Sequence, residues 1–271
     1  MGSTGGRESG RGMQLWRAQG AGARPSGSPP PRAVSALLLL SFAGCVHPGS
    51  APGRRVEEAA FPGAGRAVAS PLFETAGDER RRDQDGEAGY VIDALRLAPG
   101  MRVADIGAGT GYYAIRLAAR LGPASLIYAQ ENDPARLARI SARADRERLL
   151  NIIPVQGYPN DPALPPGSVD VALVAHVYHQ VPGPYEFLYR LAGALAPGGR
   201  VGLIGFDRRS MQYGLDPARL ECEFEAVGYR RVAFYLLTPG DAYLAVFEPP
   251  DRLPDPAAIV PCGAADAVPD D

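Results

Sequence analysis

Cysteine is scarce in this sequence, and its three occurrences, Cys45, Cys222 and Cys262, lie far apart. Such spacing presents neither a disulfide framework nor a paired-cysteine zinc site, so no metal is expected. A surplus of positive charge is also missing. Twenty-eight Lys and Arg stand against 30 Asp and Glu, a formal net charge of -2. Nothing is left over to neutralise phosphates, so a nucleic-acid partner gains no support and small or neutral ligands are favoured. Long apolar runs are absent as well: the longest, at 33–43, falls short of the roughly 20 residues needed to span a bilayer. No internal repeat is visible. What remains is a chain of 271 residues with 46% hydrophobic content, enough for one domain with appendages or two small domains around a buried core.

The first 70 residues are rich in Gly, Pro, Ser, Ala and Arg and lack periodicity, which reads as mostly unstructured. One part differs. Arg32 precedes the apolar stretch 33–43, of signal-peptide length, and small residues then lead into Cys45. Phe42-Ala43-Gly44-Cys45 resembles a bacterial lipobox, with Phe42 in place of the usual Leu. That resemblance implies a processed leader at 1–45, acylation of Cys45 and a flexible tether at 46–70, hence a membrane-anchored lipoprotein. A leader left unprocessed, or a start at Met13 or later, implies a cytoplasmic protein instead.

From residue 71 the chain alternates. Apolar positions at helical spacing in 87–97 stop at Pro99-Gly100, and a strand at 101–106 meets the turn Gly107-Ala108-Gly109-Thr110-Gly111 before a helix at 112–121. The unit recurs with a strand at 125–130, a helix opened by Asp133-Pro134 and a strand at 152–155. The nearly all-apolar 169–175 suits a central strand covered on both faces. A helix at 184–195, a turn at Pro197-Gly198-Gly199 and a strand at 200–206 follow. Last come a helix at 216–227 and two strands, 229–237 and 242–247, flanking Thr238-Pro239-Gly240-Asp241, whose Pro-Gly suits a type II turn. The pattern predicts an α/β fold: a doubly wound, seven-stranded, mostly parallel sheet with a C-terminal antiparallel hairpin strand, occupying 71–248. The Pro-, Ala- and Asp-rich 249–271 is expected to be disordered or draped over the surface.

In the loop after the first strand each glycine has a task. Gly107 permits the tight turn, Gly109 lets a ligand reach backbone amides at the positive end of the following helix, and Gly111 allows close packing. A plain strand-to-helix connection would also use such a loop. Glu131 adds a second signal, since it follows the next strand about 20 residues on, where a carboxylate can accept from ribose hydroxyls. A nicotinamide fingerprint would place its third glycine at 112, where this chain has Tyr112.

The G-x-G-x-G spacing resembles that of class I S-adenosylmethionine-dependent methyltransferases. So do Leu164-Pro165-Pro166-Gly167-Ser168-Val169-Asp170, Val177-Tyr178-His179 and Leu195-Ala196-Pro197-Gly198-Gly199-Arg200, in the order expected of the bacterial members. The resemblance implies S-adenosylmethionine as cofactor, with Asp105, Gly107, Ala108, Gly109, Gly111 and Glu131 as contacts and Asp161 on the adenine side. Many relatives place Asp after the third strand's Gly, whereas Gly157 is followed by Tyr158. His176, Tyr178 and His179 follow the fourth strand, where an open sheet places its ligand crevice, and are the candidates to bind a small-molecule acceptor or take its proton. Two other readings stay open: a lipid-anchored binding or scaffold module without turnover, and a nicotinamide-dependent oxidoreductase. Neither the acceptor nor the oligomeric state is legible.

Overall fold

The computed structural model describes residues 61–69, 76–206, 214–237 and 242–263. The leader and Cys45, and the turn at 238–241, lie outside the described residues. In chain order the domain runs α1 (Ala76–Gln84), α2 (Glu87–Ala94), β1 (Arg102–Ile106), α3 (Tyr112–Leu121), β2 (Leu126–Glu131), α4 (Pro134–Glu147) and β3 (Ile152–Gln156). There follow β4 (Val169–Ala175), α5 (Pro184–Ala194), β5 (Leu195–Phe206), α6 (Pro217–Ala226), β6 (Arg230–Leu237) and β7 (Ala242–Glu248).

The seven strands form one sheet in the order β3-β2-β1-β4-β5-β7-β6. Strands β1 to β5 are parallel, while β7 inserts antiparallel between β5 and β6. This is the expected doubly wound sheet with its antiparallel C-terminal strand. Its order reverses between β1 and β4, the switch at which the first crossovers go to opposite sides and leave a crevice beyond the strand ends.

Local sequence explains the elements around that crevice. Strand β4 is buried along Val171, Ala172, Leu173 and Val174, as a strand covered by helices on both sides must be. Two apolar cores, one around Leu117, Ile127 and Leu173 and one around Val174, Leu188 and Phe224, cover the two faces of the sheet. Helix α4 starts where Asp133 accepts from the Ala135 amide at 2.8 Å and Pro134 fills the first turn.

Both ends of the described chain depart from the expected pattern. Residues 61–69, placed by sequence in a free tether, form a strap seated on the domain. Phe61 packs edge-on against Tyr189, Ala64 is buried, and Ala69 donates its amide to the His179 carbonyl at 3.2 Å. The tail, read as disordered or draped over the surface, is fastened through residue 263: Ile259 and Cys262 are buried, and Cys262 is disulfide-bonded to Cys222 of α6. Helix α1 carries no apolar stripe and had no counterpart in the predicted pattern. Among the described residues no helix is long and apolar enough to cross a membrane.

Candidate active site

The loop between β1 and α3 turns back on β2. Gly107 donates its amide to Gln130 Oε1 at 3.0 Å, Ala108 to the Gln130 carbonyl at 2.8 Å, and Gly109 to Glu131 Oε2 at 2.8 Å. Gly109 holds φ 58°, a left-handed backbone that glycine adopts without the cost a side chain brings. Gly111 lies against Ile140 of α4, where an added Cβ would come within 3.4 Å. The neighbouring Asp105 is 2% exposed and accepts from the Ala114 amide in the first turn of α3 at 2.8 Å.

Glu131 is 6% exposed, and its second oxygen accepts from the amides of Asn132 at 2.7 Å and Asp133 at 3.0 Å. Three amides therefore fix the carboxylate, while Oε2 takes only one of them and retains a lone pair for a ligand hydroxyl. Gln130 explains why residue 157 is glycine. Its side chain spans from Gly107 to Asn132 and crosses the position where a Cβ on residue 157 would lie, 1.6 Å away.

These groups line a cleft of about 1840 Å³ that reaches from Asp105, Ala108, Gly109 and Glu131 to His176. Of the three residues expected on the acceptor side, only His176 is there. It sits at the end of β4 with φ 58°, uncommon for a residue with a side chain and found at sites where the surroundings enforce it. Its ring stacks on Phe206 with centroids 4.6 Å apart, and Nε2 lies 3.4 Å from Glu87 Oε1. Nδ1 is buried and has no hydrogen-bond partner among the described residues.

The other two lie elsewhere. Tyr178 and His179 fall in a single 3-10 turn, Tyr178–Gln180, which carries both side chains away from the cleft. The Tyr178 hydroxyl donates to Glu223 Oε2 at 2.8 Å inside the second core, and burial beside that carboxylate holds it protonated. Burial, reinforced by the nearby Arg66 cation, pushes the His179 imidazole down to about 4. His179 is thus neutral, buried and outside the lining of this cleft. Asp161 too lies outside the cleft lining: it pairs with Arg190 at 3.1 Å and bridges to Tyr158.

The structure also brings in residues the sequence did not single out. Glu87, in the first turn of α2, accepts from Tyr113 Oη at 2.5 Å and from Arg82 Nη2 at 2.9 Å. Burial opposes its ionisation, but the His176 hydrogen bond and the Arg82 charge outweigh burial and hold its carboxyl at about 2. An acid in a first helical turn is so common that no sequence signal distinguishes this one.

With this geometry in place, likeness to other proteins becomes informative. Residues 104–201 match the model of a methyltransferase domain. Nocamycin O-methyltransferase of Saccharothrix syringae is 30% identical over 147 residues, 53% of this chain and 52% of that protein. A tRNA (guanine(6)-N2)-methyltransferase of Thermus thermophilus is 33% identical over 139 residues, 45% of this chain and 40% of that one. The chain thus spans about half the length of the curated relatives it matches. Among solved structures, a SAM-dependent methyltransferase from Aquifex aeolicus superposes with TM-score 0.57 at 18% identity, covering 64% of this chain and 98% of that one. The [4+2]-cyclase SpnF superposes with TM-score 0.55 at 14% identity, covering 68% and 86%, so the fold alone does not name the reaction. Residues 104–201 are therefore similar to a methyltransferase domain, and the fold around them is one shared with S-adenosylmethionine-dependent methyltransferases.

Proposed function

We propose that the chain is an S-adenosylmethionine-dependent methyltransferase acting on a small-molecule acceptor. One observation carries this reading: the glycine-loop backbone, the Glu131 carboxylate and His176 line one cleft at the β1/β4 switch. The turn at Gly107, Ala108 and Gly109 lines the cofactor end of the cleft and uses its amides to hold Gln130 and Glu131, Glu131 receives the cofactor's hydroxyls, and Asp105 steadies the start of α3. Bound there, S-adenosylmethionine supplies a methyl group on a positively charged sulfur that leaves as a neutral thioether.

The chain's own residues do the rest. Val68, Ala69, Phe206, Leu237 and Ala242 give the acceptor side of the cleft an apolar wall, suited to a small organic molecule. With its Nε2–H directed to the ionised Glu87, His176 carries its lone pair on Nδ1 and takes the proton that an acceptor hydroxyl or amine releases. A buried nitrogen without a partner is costly, and a donor from the acceptor removes that cost. The similarity to nocamycin O-methyltransferase of Saccharothrix syringae is in keeping with such an acceptor.

Calorimetry of the full chain with S-adenosylmethionine tests the reading. Micromolar binding is the expected result. A folded sample showing neither heat nor a thermal shift at millimolar cofactor would overturn it.

A further inference from the structure

Strap and tail are fastened at one place, behind the cleft. Arg219 and Glu223 lie one turn apart on α6, and Glu223 is fully buried. Glu223 Oε1 accepts from Arg219 Nε at 3.1 Å and from Arg66 Nε of the strap at 2.8 Å, and its other oxygen accepts from Tyr178. The remaining nitrogens of Arg219 divide between the two chain segments: Nη2 donates to the Ala64 carbonyl at 2.6 Å and Nη1 to the Gly263 carbonyl at 2.8 Å. Arg66 in turn holds the carbonyls of Tyr178 and His179, each at 3.3 Å. Cys222, next to Glu223, is bonded to Cys262, whose amide donates to the Tyr185 hydroxyl at 2.8 Å.

This network reaches the cleft. Val68 and Ala69 of the strap, and Val177 and Gln180 around the 3-10 turn, are part of its lining. A buried ion pair is strong only while water is kept out, and the tail is the cover over Arg219. The covalent bond that keeps the tail there thus bears on the cleft wall.

We propose that the Cys222–Cys262 bond is a native clasp, closed in an oxidising compartment, that holds the strap and the 3-10 turn in place as one wall of the acceptor side of the cleft. Two thiols form it, losing two protons and two electrons to a disulfide-bearing oxidant that is released as a dithiol. Reducing cytosol keeps such thiols apart, so the clasp and the export-type leader call for the same side of the membrane. Cys45, the one remaining cysteine, is the residue the leader assigns to acylation.

The test uses the full chain expressed with its own leader in a bacterial host. Alkylation in denaturant without reductant, followed by peptide mass mapping, should recover residues 222 and 262 as a linked pair. Hydrogen exchange is then compared with and without a phosphine reductant. In the reduced protein the strap, the 3-10 turn and the tail should exchange at least about tenfold faster, with the glycine loop unchanged. The melting temperature should drop by about 10 °C, the size expected for opening a loop of this length in a domain of this size. A C222S/C262S variant should reproduce the reduced pattern. Free, alkylated cysteines at both positions in the folded protein would overturn the proposal. So would a linked protein whose strap and turn exchange equally before and after reduction.

Discussion

Gly109 and Glu87 are the two residues whose chemistry is easiest to isolate. Valine at 109 would have to hold φ 58° with a branched Cβ, and would fill the space where a ligand meets the loop backbone. Gly109→Val should weaken S-adenosylmethionine binding more than tenfold in calorimetry while the melting temperature falls by only a few degrees. Tight binding by the folded variant would reduce the loop to a connection. Glu87 makes a statement about pH. Its carboxyl has an ordinary value of 4.5 and is held at about 2 in the fold. A depressed carboxyl stabilises the fold above its unfolded value, and the contribution fades as pH falls toward the folded one. That depression sets an upper bound on the order of 3 kcal/mol on the contribution. Between about pH 4.5 and 3, urea unfolding should therefore show the wild type losing more stability than Glu87→Gln. Parallel loss would mean that the His176 and Arg82 contacts do not bias this acid.

At the scale of elements, α1 makes the clearest case. Its sequence is nearly all polar, so it stays on the domain through charge. Glu79 accepts from Thr110 Oγ1 at 2.8 Å and from Arg143 Nη1 at 2.9 Å, and lies 3.6 Å from Arg116, so one acid ties α1 to the glycine loop, α3 and α4. Glu79→Ala should cost about 1 to 3 kcal/mol locally. Amide exchange across α1 should accelerate while the sheet stays protected; unchanged α1 protection would show that other contacts hold it. The same helix shows where sequence reading stops. Strand β4 and helices α3 and α5 were legible because apolar periodicity and turn residues mark elements that bury one side. Helix α1 buries little, so it left no periodic trace. Of the candidate site, Asp105, Glu131 and the glycine loop were legible because their chemistry sits at fixed offsets from β1 and β2. His176, Tyr178 and His179 were indistinguishable in sequence, since three positions after β4 are equally near the crevice until the 3-10 turn decides which way each side chain points. The clasp was invisible for a related reason: 40 residues separate Cys222 from Cys262, and only the packing of the tail on α6 brings them together.

For the whole molecule the open matter is where it works. The leader's resemblance to a lipobox and the clasp point outside the cytoplasm, whereas S-adenosylmethionine is made inside. Acyl chains on Cys45 would contribute about 0.8 kcal/mol per buried CH₂, and more than one chain gives stable anchoring. Cys45→Ser should abolish lipid labelling and move the protein to the soluble fraction with S-adenosylmethionine affinity unchanged, because the glycine loop and Glu131 belong to the folded domain. A wild type already soluble, unlabelled and retaining residues before Cys45 would remove the anchor. For an acylated Cys45 the strap would set the length of the anchor. Because Phe61 is already seated against Tyr189, only sixteen residue steps connect Cys45 to the domain. Even fully extended, they span at most about 55 Å. If the proposed activity and acylation both hold, the domain would patrol a shell of that depth above the membrane, and acceptors would be met in proportion to their concentration in that shell rather than in the compartment at large.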